Sequence, residues 1–231
     1  MPINTSLNKT QRYSRHTYGD DGLWGKRNIL SVSFVACDLR KAALAGTTQV
    51  QAATAMSNTV ASTYTSFLLQ PDVPRNLVIT IGGTAANVPT GNIVVTGKNV
   101  EGATITENFA LTLDTLTTIT GVKAFKSITS IAAPLADGTG VTVAVGFGAK
   151  LGIGLRNIAS MPIKVLVRAA TGNPPTETLE DPAASNFSAT LVENNTVTTT
   201  TAQDGAKEFR VYVLNYKWAV NPTNAQPDYG V

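Results

Sequence analysis

GNIVVTGKNVEGATITENFALTL, residues Gly91–Leu113, is the stretch on which the fold turns. Its first seven residues are a β-branched run closed by glycine at both ends. Val100–Gly102 make a turn, and Ala103–Leu113 return as a second run. Two short runs rich in Val, Ile and Thr around a Gly-containing turn read as strand, turn and strand, at the short spacing of a sandwich or barrel. In the second run Ile105, Glu107 and Phe109 share one face, so the alternation is imperfect at Glu107.

The same punctuation continues on both sides. Upstream, TYTSFLL (Thr63–Leu69) runs into QPDVPRN (Gln70–Asn76) and out into LVITIGG (Leu77–Gly83). The two prolines of the middle segment forbid a regular ladder or helix, which predicts strand, rigid corner, strand. Downstream, VKAFKSITSI (Val122–Ile131) predicts an alternating strand. In it Val122, Ala124, Lys126, Ile128 and Ser130 oppose Lys123, Phe125, Ser127, Thr129 and Ile131. Asp137–Gly140 is a turn signal, and Val141, Val143, Val145 and Phe147 then share one face. Ile29–Cys37, Pro162–Ala169, the Thr-rich FSATLVENNTVTTTT and Glu208–Trp218 complete the strand candidates, with a Pro-rich loop, TGNPPTETLEDP, after the second. Residues 39–62 mix Ala with Gly46 and repeated Thr and read as a short helix or an irregular strand.

Composition agrees. Of 231 residues 33 are threonine, whose branched carbon suits a pleated surface, and only 14% are charged against roughly 25% in ordinary soluble domains. The expected class is all-β, a β-sandwich or β-barrel-like core with extended N- and C-terminal arms. The expected organisation is an arm over 1–28, a core over 29–218 with a possible internal break near 63–75, and a tail over 219–231.

Chemistry is poorly supplied. The one histidine, His16, lies between Arg15 and Thr17 with no orienting carboxylate in its surroundings. One His and one Cys cannot complete a zinc site, and no D-x-D-x-D-G calcium loop occurs. Cys37, alone of its kind, sits in the apolar context SVSFVACDL and reads as a structural thiol. GFGAKLGIG (Gly146–Gly154) lacks the order of a phosphate-binding loop, and with IGGTAANVPTG it reads as a turn between strands. Glu101, Glu107, Asp114 and Glu193 could in principle supply a carboxylate pair, but nothing pairs them. The expectation is a non-enzymatic chain without cofactor or metal.

Charge is uneven. Residues 1–41 carry seven basic side chains against three acidic ones, while the remainder is close to neutral. A basic arm interrupted by acids and by the apolar run Ile29–Ala36 is thin for nucleic acid and favours an acidic protein neighbour. Arg12, Tyr13, Arg15, Tyr18, Trp24, Lys26 and Arg27 are the candidate contacts there, because aromatic groups supply area and cations supply orientation. In Glu208–Trp218, Phe209, Val211, Val213 and Asn215 oppose Arg210, Tyr212, Leu214, Tyr216 and Trp218, so both faces carry bulk. Such a strand is central to its sheet or turns a face to a partner. Tyr212, Tyr216 and Trp218 join the candidate contacts, with a carbohydrate platform as the alternative use. No run approaches the roughly 18–20 apolar residues of a membrane helix, and MPINTSLNKTQRYSRH lacks the apolar core of a signal peptide. Synthesis in a cytoplasm, with no membrane partner, is expected.

QPDVPRN followed by LVIT, then GNIVVTGKNVEGATITENF, KAFKSITSI and GFGAKLGIG, resembles a group of tailed-bacteriophage virion structural proteins encoded among head and neck genes. The resemblance covers roughly residues 65–217. It implies a β-sandwich-type subunit of the particle, first a capsid decoration (cement) protein and next a neck or tail component. The implied partners are the major capsid protein or other virion subunits and further copies of the chain. It transfers no catalytic residue, and it is silent on the N-terminal arm.

Overall fold

The computed structural model describes residues 32–155, 163–169, 175–216, 219–220 and 227–228. Its strands, in chain order, are β1 (Val32–Asp38), β2 (Gln51–Ala55), β3 (Ser62–Tyr64), β4 (Arg75–Gly83), β5 (Gly91–Lys98), β6 (Thr104–Leu111), β7 (Thr118–Thr120), β8 (Ser127–Ala133), β9 (Val141–Gly152), β10 (Ile163–Arg168), β11 (Glu177–Glu180), β12 (Ala184–Asn186), β13 (Thr196–Thr198), β14 (Glu208–Tyr216), β15 (Ala219–Val220) and β16 (Pro227–Asp228). Among the described residues the only helical pieces are two 3-10 turns, Ala85–Asn87 and Val192–Asn194. The sheets are antiparallel and curl into a half-barrel, so the chain is all-β as expected. One sheet runs β3-β8-β5-β6, a second β12-β13-β9-β4-β7 with β2 also on β9, a third β1-β14-β10-β11, and β15 and β16 pair as a ribbon.

The deciding hairpin forms in full register, from Gly91 opposite Leu111 to Lys98 opposite Thr104. β6 alternates without a break between exposed and buried positions. Glu107 therefore stands on the buried face with Ile105 and Phe109, and the period is intact while the residue type is the exception.

Two apolar clusters fill the molecule. The first joins Leu77, Ile79, Ile93, Val95, Phe109, Phe125, Ile131, Val143 and Phe147 between the first two sheets. The second joins Leu39, Val73, Leu151, Ile153, Val165, Val167, Phe209 and Val211 behind the third sheet. Each such side chain contributes about 1.5–3 kcal/mol on burial. The chain changes cluster between Val73 and Leu77, inside the Pro-rich corner, and β9 changes cluster between Phe147 and Leu151.

Several expectations change in detail. TGNPPTETLEDP, read as a loop, carries strand β11 at Glu177–Glu180, paired with β10, and FSATLVENNTVTTTT keeps only the short β13 after a 3-10 turn. Residues 39–62 hold no helix; they run irregularly to β2, which itself breaks register between Gln51 and Thr54. Of TYTSFLL only Ser62–Tyr64 pairs as a strand. Val122–Ile131 is not one alternating strand: Ala124 and Phe125 are both buried, and the ladder starts at Ser127. There Ser130 faces Thr96 but Ile128 faces Gly97, so a bulge at Thr129 lets Ile128 and Ile131, of opposite parity, both reach the core. GFGAKLGIG is no turn, because β9 runs through it to Gly152. Its glycines are there for close approach: a Cβ on Gly146 would lie 2.0 Å from the Gly46 carbonyl, and one on Gly148 2.1 Å from Asn76 Oδ1.

Candidate interaction surface

The seam between the two clusters is held by Arg75, which the rigid corner delivers into the interior with no exposed surface. Its Nε and Nη2 donate to the Gly148 carbonyl at 3.0 and 2.8 Å. Nη2 also donates to Gln203 Oε1 at 2.7 Å, and Nη1 donates to the Ala43 carbonyl and to Asp72 Oδ1, both at 3.0 Å. A guanidinium has five N–H donors, and here all five are used. The group also lies 5.1 Å from the centre of the Phe147 ring. Burial lowers its pKa and Asp72 partly restores it. With no donor left for a ligand, Arg75 is a structural clamp on four chain segments.

Two carboxylates are buried as well: Glu193 Oε2 accepts from Asn99 Nδ2 at 3.3 Å, and Glu107 stands on the inner face of β6. Glu107 Oε1 accepts from the amides of Val122 at 2.6 Å and Lys123 at 3.3 Å, while its Oε2 has no partner. Lys123 Nζ donates instead to the Thr106 carbonyl at 2.8 Å and Lys150 Nζ to the Gly121 carbonyl at 3.4 Å. Burial consequently raises the carboxyl pKa despite the two amides and both lysines. A Cβ on Gly121 would come within 2.7 Å of Oε2, so no substrate atom fits beside it. The arrangement pins the 121–123 turn against β6, and a charge pointing inward from a strand at the end of its sheet discourages pairing with a foreign strand.

The third sheet carries the sequence-derived candidates. β14 lies between β1 and β10, so it is central to its sheet. Phe209, Val211 and Val213 are buried, whereas Glu208, Arg210 and Tyr212 are half-buried on the outer face. Tyr212 stands opposite Ala36 on one side and Lys164 on the other. Around it runs a charge ladder: Lys164 Nζ to Asp181 Oδ1 at 2.6 Å, and Arg168 at 3.8 Å from both Glu177 and Glu208. Leu166 faces Leu179, which is 60% exposed, at the β11 edge. Such exposed pairs contribute little to stability but set which surfaces can approach.

An open depression of about 430 Å³ lies where this sheet meets the corner, lined by Asp38, Arg40, Lys41, Asp72, Val73, Glu208 and Arg210. Three cations balance three anions. Asp38 Oδ1 accepts from the Arg40 amide at 2.9 Å, and Asp72 is engaged by Arg75 and by the Ala43 amide. The depression therefore favours neither an anion nor a cation.

Of the candidate contacts, Tyr212 is placed on the outer face, and Tyr216 pairs through its backbone with Val32. The Tyr216 side chain, Trp218, Arg12, Tyr13, Arg15, Tyr18, Trp24, Lys26 and Arg27 lie outside the described residues, as does His16. Cys37 packs half-buried against the second cluster, and burial pushes its thiol up to about 11, which keeps it protonated and unreactive at neutral pH. Among the described residues no group of three His, Cys, Asp or Glu side chains is placed to hold a metal, and no helix is long and apolar enough to cross a membrane.

Sequence reasoning missed Arg75 and Glu107 as buried charges. The signal for the first was an arginine wedged between Pro74 and the apolar run Leu77–Ile81, and for the second the parity at Glu107. It also missed that Val32 pairs with Tyr216, so β1 begins and β14 ends side by side at one corner of the third sheet. No family model, curated protein or solved structure matches the chain.

Proposed function

We propose that this chain is a non-enzymatic structural subunit of a virus particle, with decoration of the capsid as its role. The observation that carries the proposal is that the start of β1 and the end of β14 pair at one corner beside a firmly clamped double core. A subunit that works by attachment gains from this geometry. Peptides that continue from two paired strand ends engage the same neighbour together, and each shortens the search of the other. The basic, aromatic composition of residues 1–31 suits an acidic protein surface, and the charge ladder of the third sheet suits a polar interface rim. The buried charges Arg75 and Glu107 are engaged by the fold itself, which is consistent with a chain whose chemistry is packing. The phage resemblance of residues 65–217 supplies the identity of the assembly.

The test is copy number. Purified particles that carry this chain are separated by denaturing electrophoresis and its amount is measured against the major capsid protein. A ratio near one to one is expected for decoration. A handful of copies per particle assigns the subunit to the neck or tail, and absence from washed particles overturns the proposal.

A further inference from the structure

The end of the first cluster remote from Arg75 lies where β4 and β9 finish their pairing at Gly83 and Val141. Four loops meet there, tied by backbone hydrogen bonds: Asp114 to Val88 at 3.1 Å, Asp137 to Asn87 at 3.1 Å, Ala136 to Ser57 at 3.0 Å and Thr84 to Gly140 at 3.0 Å. They expose large aliphatic side chains: Val60 at 65%, Leu113 at 48%, Leu116 at 44% and Leu135 at 44%. β3 stops pairing with β8 at Ser62 opposite Ala133, and just beyond it the Ala136 amide donates to the Ser57 carbonyl, so the loops that carry Val60 and Leu135 run side by side. Pro134 then packs 3.6 Å from the Cβ direction of Gly91, whose partner across β5 and β6 is Leu111, two residues before Leu113. Asp114, at φ 54, stands between Leu113 and Leu116 in the turn that follows β6. The charged residues in these loops are Asp114 and Asp137, both exposed, and no Lys or Arg accompanies them. An apolar, acidic pole is the result.

We infer that this pole is the docking site for residues 1–31 of a neighbouring copy of the chain. That segment carries Lys9, Arg12, Arg15, Lys26 and Arg27 against Asp20 and Asp21, interleaved with Tyr13, Tyr18, Leu23 and Trp24. It brings to the pole the two things the pole lacks, positive charge and aromatic cover. The chain's own route from the Arg75 seam to the pole is already filled: Gly46 bonds to Phe147, Val50 to Val145 and Met56 to Val141, so residues 46–56 line that flank of β9. The segment joins the fold at Val32, in the sheet that covers the second cluster, whereas the pole closes the far end of the first cluster, so the pole is assigned to the segment of a neighbouring copy. The contact is heterologous, one copy's segment on the next copy's pole, and links copies into a ring or a chain. It holds for the protein in solution and does not depend on which particle carries it.

A complementation experiment tests this. Two proteins are made: one lacking residues 1–28, which keeps β1, and one with Leu113→Ser and Leu135→Ser, both exposed positions whose circular dichroism is checked against the parent. The parent is expected to sediment as oligomers at tens of micromolar and each variant as monomer. Their equimolar mixture is expected to give a one-to-one dimer, because one supplies the segment and the other the pole. A synthetic peptide of residues 1–31 is expected to bind the truncated protein at least tenfold more tightly than a truncated protein carrying the two Ser substitutions, and several-fold less tightly in 0.5 M salt. A monomeric parent, oligomers that persist in either variant, or a mixture that stays monomeric would each overturn the inference. Loss of assembly here leaves the copy-number test on particles unaffected, so the two proposals fail separately.

Discussion

Replacing Arg75 by alanine is the sharpest perturbation of the fold. The guanidinium joins segments around residues 43, 72, 148 and 203, and it is wholly buried. Breaking a buried ion pair by removing one partner costs about 3–5 kcal/mol, and a buried acceptor left without a donor costs about 1–3 kcal/mol. The Gly148 and Ala43 carbonyls and Gln203 Oε1 all lose donors, whereas the Asp72 side chain is 29% exposed and recovers water. Water entering the space left behind rescues part of the rest. With Asp72 rehydrated, the three orphaned acceptors set the range at about 3–9 kcal/mol, and a loss of about 5 kcal/mol is expected, a large share of the roughly 5–15 kcal/mol that a domain has. In urea, with a slope of about 2–3 kcal/mol per molar, the midpoint falls by roughly 2 M. Arg75→Lys keeps the charge but has three donors in place of the planar five-donor fork and is expected to lose about half as much. Fluorescence and circular dichroism followed through the same titration add a second readout, since loosening the clamp uncouples the two apolar clusters and separates the two transitions. A loss below about 1 kcal/mol for Arg75→Ala, the range of an exposed pair, would refute the clamp.

Other outcomes follow from single residues. The Glu107 carboxyl titrates higher in the folded chain than in the unfolded one, so the folded state holds its proton more tightly and its contribution to stability falls as pH rises from the ordinary carboxylate range through the raised value. Thermal unfolding of Glu107→Gln between pH 4 and 8 is expected to lack that decline and to gain on the parent toward neutral pH; parallel curves would contradict it. Gly148→Ala pushes a methyl group to 2.1 Å from Asn76 Oδ1 and is expected to cost about 1–3 kcal/mol or more, read as a lowered melting temperature, with an unchanged melt as the contrary result. Deleting residues 1–28 stops short of β1, which begins at Val32, and is expected to leave a folded domain that no longer attaches to particles; full attachment in a pull-down would remove the arm from the account.

Much of the fold was legible because it rests on short-range chemistry. Gly91–Leu113 carries its own turn and its own period, and β5 and β6 pair along their whole length. The Pro-rich corner also announced itself, since two prolines cannot join a ladder. What stayed hidden depends on residues far apart in the chain. The bulge at Thr129 is invisible in sequence because its cause is the partner strand, where Gly97 has the Ser127 carbonyl within 2.2 Å of its Cβ direction. Gly146 and Gly148 read as turn residues because the loop and the Asn76 side chain that press on β9 come from about 100 and 72 positions away. Arg75 read only as part of the rigid corner for the same reason: its acceptors lie at Ala43, Gly148 and Gln203. Of the candidate contacts only Tyr212 has a described side chain, and the apolar pole escaped notice because its leucines are dispersed over separate polar loops that topology alone brings together.

The most direct measurement of the central claim is a reconstruction of intact particles by electron cryomicroscopy at a resolution that shows strands as sheets. Density for a half-barrel with two apolar clusters, repeated at symmetric positions over the head and tethered to its neighbours by extended peptide, is the expected result. A head surface without that density, with the chain absent from the particle or present at a single vertex, would contradict decoration of the capsid.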